Sequence, residues 1–152
     1  MSACAVLETP TGPFWIRVAD GAVTASGWGF QKAEGKDAVL AQAVSEVQRY
    51  FSGECLQFTV PVAPAVAGFT ARVLDQIAAI PYGETREYGD IARALGAPAQ
   101  AVGQACGANP IPVLIPCHRV LSARGLGGFS GAGGVETKVA LLRLEGAASL
   151  LI

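Results

Sequence analysis

The chain has 152 residues, 51% hydrophobic and only 15% charged, with a formal net charge of −1. A charged share well below the usual value of about 25% excludes a disordered, solvated tail and requires a buried core, in one domain or two small ones sharing it. Five basic and seven acidic groups in residues 1–81 (−2), and six and five in residues 82–152 (+1), argue against a protein held on nucleic acid by bulk charge.

The first stretch reads as strands. "FWIRVADGAVTASGW" (14–28) holds two β-rich runs around Asp20-Gly21, a hairpin-turn signal. Residues 37–51 put Leu40, Ala43, Val44, Val47 and Phe51 on one helical stripe, which Gly53 can close in a left-handed conformation. "LQFTV" (56–60) reads as a further strand, and the two prolines of "PVAPAVAG" (61–68) as a linker. From residue 68 the pattern turns helical: Phe69, Val73, Ile77 and Ile80 up to Pro81, then Tyr88, Ile91, Ala92 and Leu95 up to Gly96. "PAQAVGQACG" (98–107) predicts a third helix with Pro98 in its first turn. Residues 114–121 read as extended or irregular, and "GLGGFSGAGG" (125–134) is glycine-rich. "VETKVALLRLEG" (135–146) predicts a last helix, with Glu136 and Arg143 placed favourably for its dipole. The expected architecture is a small α/β domain (1–65, a β-sheet plus a helix) followed by a mainly α-helical domain (66–152).

No apolar run approaches the roughly 18 residues of a membrane span, and the N-terminus lacks the pattern of a signal peptide. The expectation is a cytoplasmic monomer with no membrane partner. Cys4, Cys55, Cys106 and Cys117 show no C-x-x-C spacing, so free thiols are expected. With a single histidine, neither a metal site nor a cofactor is expected.

Helix, glycine-containing turn, helix over 88–107 fits either an ordinary helical hairpin or a helix-turn-helix. Ala99, Ala101, Gly103, Ala105 and Gly107 leave the second helix with little bulk. An internal glycine costs about 1 kcal/mol relative to alanine, so close approach to another helix or to a nucleic-acid groove must favour it.

"IPVLIPCHRVL" (111–121) sets Cys117 beside His118. Neighbouring residues diverge in regular structure, so a proton would pass between them through water. The imidazole needs an orienting partner, for which Glu145 qualifies only if the fold returns it. A thiol ionises near pH 8.5 unless a positive neighbour such as Arg119 assists. A buried structural thiol is the plain alternative.

"IPYGETREYGDIARALG", "AVGQACGANPIPVLIPCHRVL" and "GFSGAGG…KVALLRLEG" together resemble the O6-alkylguanine-DNA alkyltransferase family over about residues 69–146. The resemblance implies a DNA-repair protein that moves the alkyl group of O6-alkylguanine in double-stranded DNA to its own cysteine, irreversibly and once per molecule. It implies Cys117 as acceptor, His118 as base through water, Glu145 as the orienting carboxylate and Asn109 as the brace of the turn. It implies that Tyr88 rotates and contacts the flipped base, that Pro112 lines the alkyl pocket, and that the backbone at Cys117, Val120 and Ser130 holds the guanine edge. The helix carrying Ala99, Gln100, Ala101 and Gly103 would enter the minor groove, with Arg119 counted among the DNA-contacting residues.

Three departures stand out. Gln100 occupies the place of the family's intercalating arginine, the stretch from Tyr88 to Gln100 is shorter than usual, and Phe129 stands where many members have tyrosine. None removes the thiol chemistry, and the first two imply a competent acceptor with weak or unusual DNA engagement, DNA binding being weakened by Gln100 in place of the arginine. The alternatives are a non-enzymatic lesion-binding protein, whose relatives typically lack the cysteine kept here, a helix-turn-helix regulator, and a Cys-His hydrolase. Alkyl size, and guanine versus O4-alkylthymine adducts, stay open.

Overall fold

A computed structural model describes residues 2–127 and 134–147. β1 (Ser2–Thr9), β2 (Gly12–Ala19) and β3 (Ala22–Trp28) form an antiparallel sheet in that order. Asp20 and Gly21 both take positive φ (51° and 82°), which two-residue hairpin turns need to match strand twist. Phe14, Ile16 and Val18 alternate inward on β2.

Helix α1 (Ala38–Phe51) packs near this sheet and starts at Asp37, whose Oδ1 accepts the Val39 and Leu40 N–H groups. Its buried stripe is Leu40, Ala43, Glu46, Val47 and Tyr50, with Val44 and Phe51 only half-buried. The expected stripe is therefore rotated, because two polar side chains on α1 find internal partners.

One of them removes an expected strand. The carboxylate of Glu46 accepts the N–H groups of Thr59 and Val60 (2.8 and 3.1 Å) and the Thr59 hydroxyl (2.7 Å). A side chain thus takes the hydrogen bonds that a neighbouring strand would have taken, and 56–60 is irregular. The segment that follows pairs with the sheet through the isolated Val23–Val62 bridge, and Pro61 and Pro64 have no N–H to extend it into a ladder.

The remaining elements are α2 (Gly68–Ala78), β4 (Arg86–Glu87), α3 (Tyr88–Leu95), α4 (Ala99–Gly107), a one-turn 3-10 helix (Cys117–Arg119), β5 (Val120–Leu121) and α5 (Val135–Leu144). Gly96, at φ 64°, ends α3 in the left-handed conformation. Pro98 lies one residue outside α4 as its N-cap, extended at ψ 146°, and its carbonyl accepts the first helical bond from Val102. β4 pairs in parallel with β5, which sets the start of α3 beside the exit of the 3-10 turn.

One apolar cluster runs from Phe14 and Ile16 through Val47 and Ile77 to Ile111, Val113 and Leu141. Ser26 in β3 reinforces it: its N–H donates to Pro110 O (3.0 Å) and its hydroxyl to Pro112 O (2.9 Å). Among the described residues no helix is long and apolar enough to cross a membrane.

Glu46→Ala strands two backbone donors and should lower stability by about 2–3 kcal/mol. Glu46→Gln, which keeps an acceptor oxygen, should lose less. Urea denaturation of both variants checks this.

Candidate active site

The turn that presents Cys117 is held by Asn109. Its Nδ2 donates to Ile115 O (2.9 Å), and its Oδ1 accepts the Ile111 N–H (3.0 Å). Between these anchors Val113 is buried at φ 73°, a conformation that a β-branched residue keeps only when its surroundings enforce it. Pro116, at φ −82° and ψ 64°, makes an inverse γ-turn closed by Cys117 N–H to Ile115 O (2.8 Å). The 3-10 helix then spreads three successive side chains in different directions.

Glu145, at the C-cap of α5, collects those that turn inward. Its Oε2 accepts from His118 Nε2 (2.6 Å), Tyr50 OH (2.5 Å) and Arg119 Nη2 (3.1 Å), and its Oε1 from Arg119 Nε (2.8 Å) and the Gly83 N–H (3.3 Å). Burial alone would raise the carboxyl, but the hydrogen bonds from His118, Arg119 and Tyr50 outweigh it and hold it at about 2. For His118 burial wins: it lowers the ring below its ordinary value despite the Glu145 contact. The pair is therefore a hydrogen bond from a neutral imidazole, with the proton on Nε2. Nδ1 keeps its lone pair, is buried, and has no hydrogen-bond partner among the described residues.

Cys117 is buried, and burial raises its thiol, offset in part by the Asn109 amide and the Lys138 ammonium. Lys138 lies fully buried on α5, donates to Val120 O (2.7 Å) and sits 6.0 Å from the centre of the Tyr88 ring. Burial pulls it down to about 8, and the nearby Cys117 and Cys106 thiols pull the other way. Cys106 is pushed up to about 12 by burial and by Cys117. Among the described residues, no three His, Cys, Asp or Glu side chains converge to hold a metal ion.

Residues 68–147 match the model of the 6-O-methylguanine DNA methyltransferase DNA-binding domain. The chain is 47% identical over 105 residues to the methylated-DNA–protein-cysteine methyltransferase of Archaeoglobus fulgidus, covering 66% of this chain and 71% of that one. The chain belongs to this methyltransferase family. It is similar to the Mycobacterium tuberculosis O6-methylguanine methyltransferase at 37% identity and a TM-score of 0.85, over 99% of this chain and 98% of that one. It is also similar to M. tuberculosis OGT in complex with DNA, at 37% identity and a TM-score of 0.82, over 93% and 92% of the two chains. A small antiparallel sheet plus helices is the architecture it shares with these methyltransferases.

In this methyltransferase chain His118 meets Glu145, and Asn109 holds the turn that bears Cys117. Half-buried Tyr88 packs on Gly127, where a Cβ would come within 3.0 Å of its ring, so that position admits no larger residue without a shift. Pro112 is half-buried at the turn and Val120 is buried, its carbonyl bonded to Lys138. Ala99 and Gln100 are exposed, and Ala101 and Gly103 partly so. A Cβ on Gly103 or Gly107 would meet nothing within 4 Å, so helix packing among the described residues does not account for these glycines. Ser130 and Phe129 lie outside the described residues.

Arg119 corrects an expectation. It is 6% exposed, clamps Glu145 through Nε and Nη2, and donates from Nη1 to Ile80 O (2.7 Å), so it does not face DNA. Two polar residues of the site were missed. Lys138 stands seven residues before Glu145, two helical turns away on the same face of α5, a spacing that marks it in the sequence. Tyr50 shares the stripe of Leu40, Ala43 and Val47, where Phe51 is the competing reading.

Stability should fall in two steps as the pH is lowered. His118 binds its proton more weakly folded than at its ordinary 6.5, so the stability it adds is complete above 6.5 and lost as pH falls below it. Glu145, held at about 2 against 4.5, adds stability that is present above 4.5 and lost as pH falls toward 2. Urea midpoints measured across this range should show both steps, and His118→Gln should remove the first and shrink the second, because Glu145 loses its His118 donor.

Proposed function

We propose that Cys117 is the acceptor in the reaction of this family. The function is DNA repair by transfer of an alkyl group from DNA to a cysteine of the protein. The substrate in our reading is O6-alkylguanine in duplex DNA, and the protein is consumed after one transfer. The single observation that carries this reading is the His118 ring, locked through Nε2 to Glu145 with its Nδ1 lone pair unpartnered among the described residues, in the turn that bears Cys117.

The Cys117 thiol gives its proton, through water, to His118 Nδ1, and Glu145 stabilises the imidazolium that forms. Sγ attacks the alkyl carbon in line with the C–O6 bond; the S–C bond forms as the C–O6 bond breaks. Guanine leaves with the electron pair and takes a proton at N1, returned through His118 and water, so no net proton is consumed. At rest the raised thiol keeps Cys117 protonated, which suits an acceptor that must not be spent on stray electrophiles.

A thiol this buried requires the base to leave the stack, so the reading includes base flipping. α3 and α4 act as a helix-turn-helix, with the small side chains of Ala99, Ala101 and Gly103 against the minor groove. Exposed Gln100 fills the space that the base vacates. Tyr88, Pro112, the backbone of Cys117 and Val120, and Ser130 hold the flipped base. Lys138 favours the thiolate as it forms. Residues 1–65 and 66–152 act as two domains on the shared core, and the protein works as a monomer. Four free, buried thiols suit a reducing compartment and support a cytoplasmic location.

Intact-protein and peptide mass spectrometry after incubation with duplex DNA containing O6-methylguanine tests the reading. One methyl on Cys117, saturating at one per protein and absent from Cys117→Ser, is the expected result. Methyl on another cysteine, or repeated turnover, would contradict it. Transfer from free O6-benzylguanine alone would keep the thiol chemistry and remove the assignment of α3 and α4.

A further inference from the structure

Tyr50 lies 95 residues before Glu145, on the helix that packs near the N-terminal sheet, yet its hydroxyl donates 2.5 Å to Glu145 Oε2. The same hydroxyl is 3.5 Å from His118 Nε2. Its ring is fully buried and set by three aromatic neighbours, Phe51, Phe58 and Tyr82, with centroids at 5.1, 5.5 and 6.1 Å. The aim of the hydroxyl is therefore fixed by packing. Burial, then Glu145, raises the phenol above its ordinary range, so it stays a donor.

Glu145 Oε2 receives three donors, from Tyr50, His118 and Arg119. A carboxylate oxygen has two lone-pair directions, so these donors compete. We propose that Tyr50 is a positioning residue for alkyl transfer: by sharing Oε2 with His118, it limits how strongly Glu145 can draw a proton onto the imidazole. The ring thereby stays neutral, with Nδ1 available, until the thiol proton arrives. When His118 becomes charged its Nε2–H pulls harder on Oε2 and the tyrosine yields. The N-terminal part of the chain thus takes part in the chemistry. The inference rests on the Cys117–His118–Glu145 relay proposed above.

Among the described residues, the other groups that face this pair are Arg119 from the 3-10 turn, Tyr82 and the Gly83 N–H from the chain after α2, and Lys138 from α5. All remain in Tyr50→Phe, which keeps the ring and removes only the hydroxyl. His118 is the sole histidine, so its ring NMR signals titrate without overlap. In Tyr50→Phe the midpoint should rise by about 0.5–1 pH unit, the scale of one hydrogen bond. The acid limb of methyl transfer against pH should move the same way, and the deficit should shrink toward alkaline pH. Replacing Tyr50 with 3-fluorotyrosine, a stronger donor, should move both midpoints down. An unmoved His118 titration in both variants, or a rate lowered by one factor at every pH, would make Tyr50 a packing residue and overturn the proposal. A wild-type rate that ignores the His118 titration would instead overturn the relay, and the inference with it.

Discussion

A single buried carboxylate organises this molecule. Glu145 is 6% exposed, and an anion in that position is tolerated only when its oxygens are matched by donors. The donors come from distant parts of the chain: Tyr50 from α1, the Gly83 N–H after α2, and His118 and Arg119 from the turn that bears the acceptor. Satisfying the charge therefore requires that the sheet-bearing part, the helices and the acceptor turn be assembled together. Arg119 adds the only full positive charge among these donors and is spent entirely inside the protein. Taking one partner from such a pair typically costs about 3–5 kcal/mol, because the other charge stays buried.

The acceptor turn follows the same logic of enforced geometry. Asn109 spans it, Ser26 ties it to β3, and Val113 keeps an unfavourable backbone conformation that the surrounding core imposes. The thiol is held in its protonated form by burial, with Asn109 and Lys138 placed to favour the thiolate. In the proposed mechanism, a resting thiol and a neutral imidazole form a site that is quiet until a substrate enters and water links the two.

Much of this was legible in the sequence where the signal is local. Cys117, His118 and Asn109 lie within nine residues of one another in a motif rich in proline, and Glu145 closes the last helix just before Gly146. Features that depend on long-range partners were not. Nothing in "LQFTV" announces that a carboxylate 13 residues earlier will take its N–H groups. On α1 adjacent aromatics compete for the interior, and a rotation of about 100° per residue decides between them; the carboxylate at the far end of the chain selects Tyr50 over Phe51. From the sequence Arg119 reads as a DNA-contacting cation and Lys138 draws no reading, because such side chains usually sit at the surface. Their burial is the consequence of a carbonyl and a carboxylate supplied by other elements.

The most direct test of the central claim is the second-order rate of methyl transfer to Cys117 in Glu145→Gln, measured beside circular dichroism to show that the fold persists. The amide keeps the size of the side chain but not its charge, so His118 loses the anion that stabilises its protonated form. The account predicts a rate lower by about 10²–10⁴-fold, the range of a positioned general base. A folded Glu145→Gln protein that accepts methyl at the wild-type rate would contradict it.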